Sequence, residues 1–376
     1  MSADEQASIT PENINAIMDE YRTIYSSEIL AQLKKNQRKL LRDERVGERW
    51  FVRLQNHIWR EPFRSLDLLI SYATSCGSEF NTSVFEYAKE RNDSVFLAQK
   101  YFHGRACQIS REILVLLKNG YGDGADARWR SLHEIYVFCL FIQKHGEKAA
   151  DAYFDHLPID EYKVQKEFVK HGDKLKEKAD LEHFERLQTE RDKISAIYGE
   201  SFCLDWGWAT SFLKTNRPSY AMIERDVGMD HMKPYHKIAS NNVHANPGGT
   251  VMRLGSANGA QNKLLLVGAS NWGMEGPGQK TAITLYQITT NFVLGSPTSK
   301  EKYKLDIEFG LKCGGMLVAL HMLMDETARS FVDAAMVQAE RTRRAKADGQ
   351  SNVRYHHPPI KLDLGKSATR KDGNGD

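Results

Sequence analysis

The sequence has few of the residues that mark disulfide-bonded, zinc-binding or β-rich proteins. Its 376 residues include only five cysteines, which are widely spaced and form no C-x-x-C pair. This usage is typical of reduced cytoplasmic thiols and not of a disulfide framework or a zinc site. Only 10 prolines occur, and amphipathic runs with helical spacing separate them, so the sequence predicts a mostly helical protein.

Long apolar runs and a leader-like N-terminus are also lacking. The apolar runs at residues 137–142 and 316–324 are much shorter than the roughly 20 residues that cross a bilayer. The first ten residues, MSADEQASIT, are acidic and polar, unlike a signal peptide. We therefore expect a cytoplasmic protein without a membrane partner.

Several motifs of common enzyme classes are missing. The sequence contains no H-E-x-x-H, no G-x-S-x-G, no G-x-G-x-x-G after a strand and no D-x-D-x-D-G loop. The glycine-rich residues 271–278 lack the G-K-[ST] ending of a phosphate-binding P-loop. No alternating strand–helix pattern supports a Rossmann or TIM-barrel fold. We expect neither a bound metal nor a cofactor.

Positive charge is concentrated in two places, although the net charge is only +3. Residues 341–376 carry nine Lys or Arg and four Asp or Glu, and residues 34–64 form a second basic segment with interleaved aromatics. Such segments are solvated helix faces or surfaces for a polyanion such as nucleic acid.

The expected fold is an all-α, multi-helix bundle of roughly eight to ten helices. It should carry one small β-hairpin near residues 250–268, where two apolar runs flank a turn rich in glycine and asparagine. We expect Pro62 to break the first helix, Gly77 to end the next, and residues 303–344 to form one closing helix. The predicted domains are a basic, aromatic N-terminal lobe (1–92), a helical core (93–345) and a disordered tail (346–376).

The most informative stretch is the helix predicted after the glycine-marked turn at residues 119–124. Its first turns carry Arg128, Arg130, His133 and Glu134, and its remainder is almost wholly apolar. The short turn predicts antiparallel packing against the helix at residues 96–118. Polar side chains entering a buried helix cost stability unless they are paired, so this cluster is a candidate functional site.

The spacing of Arg128 and His133 resembles the Arg-x(4–6)-His signature of the HEPN-like ribonucleases, and Arg225 and His231 form a second match. That family comprises helical, usually dimeric proteins of bacterial defence and toxin systems. The resemblance implies metal-independent RNA cleavage. An imidazole would move the 2′-hydroxyl proton, and the arginine would hold the scissile phosphate. Two side chains five residues apart on a helix point about 140° away from each other around its axis, so Arg128 and His133 would not touch. A site would therefore need a partner subunit or a neighbouring helix.

The order of segments also resembles a bacterial family of uncharacterised helical proteins, a domain of unknown function. This resemblance covers residues 96–294 and includes the segments ARWRSLHE and YHKIASNNVH. It implies no activity. Its pattern implies that Arg130, Glu134, Ser240 and His244 form one polar cluster between helices.

The first functional hypothesis is a HEPN-like, RNA-cleaving effector of bacterial defence or toxin type. The predicted catalytic residues hold the phosphate or move and orient a proton: Arg128, His133, Glu134 and His244. Arg130 and Ser240 are predicted to contact substrate. RNA, a second copy of the chain and an antitoxin-like protein are the expected partners. Two alternatives stay open: a packing cluster in a non-catalytic module that binds protein or nucleic acid through residues 34–64, and a pocket for a small ligand or nucleotide.

Overall fold

Every regular element that the structure describes is helical, which confirms the predicted all-α bundle. The computed structural model describes residues 11–175, 180–251 and 267–347, and within these ranges it contains no β-strand. The helices are α1 (Pro11–Glu90), α2 (Ser94–Lys118), α3 (Gly122–His145), α4 (Glu147–Asp155), α5 (Leu157–Leu175), α6 (Leu181–Tyr198), α7 (Thr210–Leu213), α8 (Tyr220–Asp226), α9 (Lys233–Asn241), α10 (Pro247–Val251), α11 (Glu275–Leu294), α12 (Pro297–Leu305) and α13 (Ile307–Ala347).

The chain divides into two compact units. One comprises residues 1–54 with 345–376, and the other comprises residues 55–344. The larger unit contains the hydrophobic core and all the predicted site residues. It begins inside the segment that the sequence assigns to the N-terminal lobe.

The prediction of a helix break at Pro62 is wrong, because α1 continues through this proline. A helix-interior proline loses one backbone hydrogen bond. Buried side chains before and after it, Trp59 and Phe63, compensate by packing on the same ring, Phe331 of α13. Tertiary packing thus outweighs the local signal.

Gly77 does not end a helix either; it lets α1 and α2 come close together. A Cβ atom at this position would overlap the imidazole of His103, which lies on α2. His103 is itself buried and stacks on Phe292 of α11, with ring centroids 5.1 Å apart.

The centre of the larger unit is formed by α2, α3 and α11, which pack on one another. As predicted, α2 and α3 are antiparallel: Gln99 Nε2 donates to the Cys139 carbonyl at 2.9 Å, and Arg128 pairs with Glu112 nearer the turn. Trp129 Nε1 donates to Thr284 Oγ1 at 3.1 Å and thereby ties α3 to α11.

Two further predictions concern the C-terminal third. The expected single helix at 303–344 is divided into α12 and α13, because Asp306 has extended backbone and its carboxylate accepts from the Phe309 amide at 2.9 Å, as an N-cap does. Most of the predicted hairpin near 250–268 lies outside the described residues. Its described beginning, Val251, is the last residue of α10.

Candidate functional site

The candidate site lies along α3, whose start is fixed by a close backbone contact. A Cβ atom at Gly122 would lie 2.5 Å from the Gly273 carbonyl oxygen, so only glycine fits there. This contact and the hydrogen bond from the Ser270 amide to the Gly120 carbonyl hold the segment before α11 against the α2–α3 turn. The first turns of α3 therefore face α11.

Arg128 points from α3 toward α2. Its Nε pairs with the Glu112 carboxylate, and its Nη1 lies 3.3 Å from Ser131 Oγ. The side chain is a quarter exposed. Arg128 therefore contributes a cation beside α2, on a different side of α3 from His133.

His133 is buried, with a side chain only 1% exposed, and it stacks on Trp129. Its Nε2 lies 3.2 Å from the Glu224 carboxylate on α8. Burial first, and then the charge of His236, lower the pKa of His133 to about 4, while burial raises the pKa of Glu224. Both shifts disfavour an ion pair, so we assign this contact to a hydrogen bond of neutral His133.

A second polar group lies one turn away, between α3 and α9, and it remains partly open to solvent. Arg130 Nη2 is 3.0 Å from Glu134 Oε1 on the same helix. His236 Nε2 on α9 is 3.2 Å from Arg130 Nε and 3.3 Å from Glu134 Oε1. The exposed fractions are 28% for Arg130, 24% for Glu134 and 14% for His236. We refer to Arg130, Glu134 and His236 as the triad.

The two contacts of His236 Nε2 require opposite protonation states. An unprotonated Nε2 accepts from Arg130, whereas a protonated Nε2 donates to Glu134. Both partners are in reach of Nε2 at once.

Tyr220 of α8 forms the wall behind His236. The two rings stack with centroids 5.0 Å apart and planes 22° apart. The Tyr220 hydroxyl is buried and has no hydrogen-bond partner within the described ranges. Burial, followed by the charges of Glu224 and Glu134, raises the pKa of Tyr220 well above its ordinary value.

A second cation lies beside the triad. Lys280 of α11 pairs with the carboxylate of Asp126, and its Nζ sits 4.1 Å from the Trp129 ring centroid and 5.9 Å from that of Tyr235. Burial raises the pKa of Asp126, the Lys280 charge partly opposes this shift, and the second carboxylate oxygen, Oδ2, is buried without a partner in the described chain. Lys280 also contributes to the lowered pKa of His133, which places its charge within range of that imidazole.

The remaining predicted residues do not join this group. Ser240 Oγ donates to the His236 carbonyl at 2.8 Å, one turn back on its own helix, and His244 is exposed. In the second Arg-x-His match, Arg225 and His231 are both exposed. The structure thus brings Arg130 and Glu134 together with His236, and it sets Arg128, His133, Ser240 and His244 apart from this contact.

Four residues of the site were not among the predicted site residues: Tyr220, Glu224, His236 and Lys280. The four-residue spacing of His236, Ser240 and His244 was a signal for one shared helix face. His236 and Ser240 lie on α9, which ends at Asn241, before His244. Lys280 was detectable as a lone cation at the start of an apolar helix. Glu224 had no local signal, since its role follows from the packing of α8 on α3.

Within residues 11–175, 180–251 and 267–347, no group of three or more His, Cys, Asp or Glu side chains is arranged to hold a metal ion.

One of three comparisons with known proteins matches part of the chain. No curated protein matches the chain, and no solved structure does. Residues 97–261, which contain the triad but not Lys280, match the model of a family described as a family of unknown function (DUF5677), and this match confirms the predicted resemblance to an uncharacterised domain family.

Proposed function

We propose that this protein cleaves RNA without a metal ion, as a HEPN-like effector of bacterial defence or toxin type, and that the triad carries the reaction. The observation behind the proposal is the contact of His236 Nε2 with both an arginine and a carboxylate within 3.3 Å, on a partly exposed face. An imidazole whose Nε2 is met by a donor when unprotonated and by an acceptor when protonated suits general acid–base catalysis.

In this reaction, Arg130 Nε moves from His236 Nε2 to the scissile phosphate, and the freed lone pair of unprotonated Nε2 removes the proton of a ribose 2′-hydroxyl. The 2′-oxygen forms a bond to the adjacent phosphorus, and the bond from phosphorus to the 5′-oxygen breaks. The proton on Nε2 is held by Glu134 and is then given to the departing 5′-oxygen. The products are a 2′,3′-cyclic phosphate and a 5′-hydroxyl, and the enzyme returns to its starting state.

Charge supports a phosphate substrate. Arg130 would turn its guanidinium from His236 and Glu134 to the scissile phosphate, where its paired donors match phosphate oxygens. Lys280 supplies a second positive charge on the same side of α3, near His133 and the half-exposed ring of Tyr235. An exposed aromatic ring beside a cation is a platform on which a nucleobase can stack.

His133 takes a different role here from the one that the Arg-x-His spacing implies. Because it is neutral and buried against Glu224, it supports the triad from behind, with its ring 5.8 Å from that of His236. Arg128 and His133 thus belong to the packing around the reacting group, and Arg130 and His236 to the group itself.

The test is cleavage of total bacterial RNA and tRNA in EDTA by the purified protein and matched variants. We expect wild-type cleavage and a loss of about 100-fold or more in His236→Asn and Arg130→Met. His171→Asn, which changes a partly exposed histidine on α5, is the control and should keep full activity. Thermal unfolding of each variant separates lost chemistry from lost folding.

Two results would redirect this proposal. Loss of cleavage in folded Arg128→Met with retention in Arg130→Met would assign the site to the sequence motif. Absence of cleavage by the wild type, with RNA retained on the protein, would favour the non-catalytic alternative.

One observation favours that alternative specifically. Along α1, the basic side chains of the segment before residue 50 are all exposed: Lys34, Lys35, Arg38, Lys39, Arg42, Arg45 and Arg49. Trp50, which follows them, is 40% exposed. Cations beside an exposed aromatic can bind a nucleic-acid backbone and stack a base, and this binding would weaken steeply with salt.

A further inference from the structure

The first half of α13 exposes a row of large apolar side chains. The exposed fractions are 74% for Ile307, 73% for Leu311, 62% for Val318 and 66% for Met322. Gly314 and Gly315 lie between them, and a Cβ atom added to either would meet nothing within 4 Å. We call these six residues the α13 stripe.

The opposite face of the same helix is occupied. Cys313, Leu317, Leu320 and Met324 are buried in the larger unit, so α13 is already anchored in the core. The stripe is therefore apolar surface left over after folding, and such contiguous patches usually mark an interaction site.

The spacing of the stripe is symmetrical. Leu311 and Val318 lie equally far from the midpoint between Gly314 and Gly315, and so do Ile307 and Met322. A face with this property is complementary to itself when a second helix runs antiparallel across it, as a two-fold axis requires. The two glycines would fall at the crossing point, where missing side chains allow the backbones to approach closely.

The area of the stripe points to a second copy as its occupant. At roughly 100–150 Å² for each large side chain, two copies bury about 1,000 Å², which is near the lower limit for a specific interface and fits a weak dimer.

We propose that the α13 stripe is the homodimer interface of this protein, with two copies of α13 crossing antiparallel at Gly314 and Gly315. The proposal is independent of the triad, which α3 and α9 carry. By length and composition alone, the segment Ile307–Arg344 could instead cross a bilayer. The opposite face of α13 is buried in the larger unit, and insertion into a bilayer would remove it from that core. This favours a second copy over a membrane.

Sedimentation equilibrium of the full chain over the micromolar range tests this interface. We expect reversible dimers for the wild type and monomers for Leu311→Glu and Gly315→Gln. Gly315→Gln is diagnostic, since it should stabilise the free helix while blocking the close crossing. Val115→Glu, a matched change at a 59% exposed position on α2, should leave the dimer intact.

Cysteine cross-linking tests the direction of pairing. Under mild oxidation Gly315→Cys should form a disulfide-linked dimer, whereas Ile307→Cys should not, since an antiparallel pair separates its two copies by about 22 Å. A wild type that stays monomeric, a dimer that survives Leu311→Glu, or efficient cross-linking through Ile307→Cys would each overturn the proposal. So would monomers that float with phospholipid vesicles and lose this binding in Leu311→Glu.

Discussion

At the scale of single residues, burial keeps two imidazoles of the core uncharged. Burial lowers the pKa of His103 to about 4, with only the Ala73 carbonyl as an opposing influence, and lowers that of His133 to a similar value. Glu224, the acidic partner of His133, has a raised pKa, so its effect on the pH dependence of stability is opposite to that of His133. Among the described residues, His103 has no acidic partner. His103 is therefore the cleaner probe of how acid unfolds this protein.

We expect the wild type to lose stability as the pH falls from about 6.5 to 4, because the unfolded chain binds a proton at His103 in this range and the folded chain does not. The loss from this residue is at most about 3 kcal/mol, the equivalent of its pKa shift. The free energy of unfolding of His103→Gln should be lower than that of the wild type at pH 7 but should change less with pH across this window. Urea unfolding of both proteins at pH 7 and pH 5 measures this change. An equal change in the free energy of unfolding in the wild type and in His103→Gln would contradict the role of His103.

The buried pair of Lys280 and Asp126 should matter for stability because removing either residue leaves the other buried without its partner. Lys280→Met leaves a buried carboxylate without its cation, and we expect a loss of about 3 kcal/mol at neutral pH. The raised pKa of Asp126 means that the folded state then binds the extra proton, so the loss should shrink as the pH falls. Asp126→Asn combined with Lys280→Met should recover part of the stability; simple addition of the two losses would show that the groups are not coupled.

At the scale of elements, the close packing of α1 on α2 makes two glycines behave oppositely. Gly77→Ala should destabilise by about 1–3 kcal/mol, since the new methyl would overlap the His103 ring. Gly104→Ala on α2 meets open space and should stabilise by up to about 1 kcal/mol through helix propensity. Thermal unfolding of the two variants provides an internal control, and a stable Gly77→Ala would mean that the helices are farther apart.

The same elements show what local sequence can predict. The periodicity of α2 and α3 and the glycine turn between them are local signals, and they suffice for an antiparallel pair. The continuity of α1 through Pro62 is not local, because it depends on Phe331, far away in the sequence, packing on both flanks of the proline. The interruption at Asp306 was visible as a capping residue three positions before the Phe309 amide that it binds, but strong periodicity on both sides outweighed it.

In the site too, local contacts could be predicted from the sequence and long-range contacts could not. Arg130 and Glu134 lie four apart on one helix, and their contact could be predicted from spacing alone. Their third partner, His236, comes from α9, more than a hundred residues later, and only the fold brings it to Arg130. Spacing also singled out His133, but it could not show that α8 covers this residue and supplies Glu224.

At the scale of the whole molecule, residues 55–344 form a unit with its own core, and this unit contains the triad and the α13 stripe. We expect a fragment of these residues to fold cooperatively without residues 1–54 and 345–376. Its melting temperature should stay within a few degrees of the full chain, and its near-ultraviolet circular dichroism, to which buried Trp59, Trp129 and Trp208 contribute, should be preserved. A molten or aggregated fragment would show that the removed residues complete the core.

The fragment also separates the two functional hypotheses. It lacks the basic side chains of α1 that precede residue 50 but keeps the triad. Cleavage should therefore persist in the fragment, with weaker and less salt-dependent RNA binding. A fragment that neither binds nor cleaves RNA while remaining folded would assign nucleic-acid recognition to the removed residues.

The central claim is that His236, held by Arg130 and Glu134, moves the proton in a metal-independent cleavage. The most direct measurement is the end chemistry of a short RNA incubated in EDTA with wild type and with His236→Asn, alongside the same RNA with a 2′-deoxyribose at the cleaved position. We predict a 2′,3′-cyclic phosphate and a 5′-hydroxyl from the wild type, and no product from either the folded variant or the deoxy substrate. Equal cleavage by His236→Asn, or cleavage of the deoxy substrate, would contradict this account.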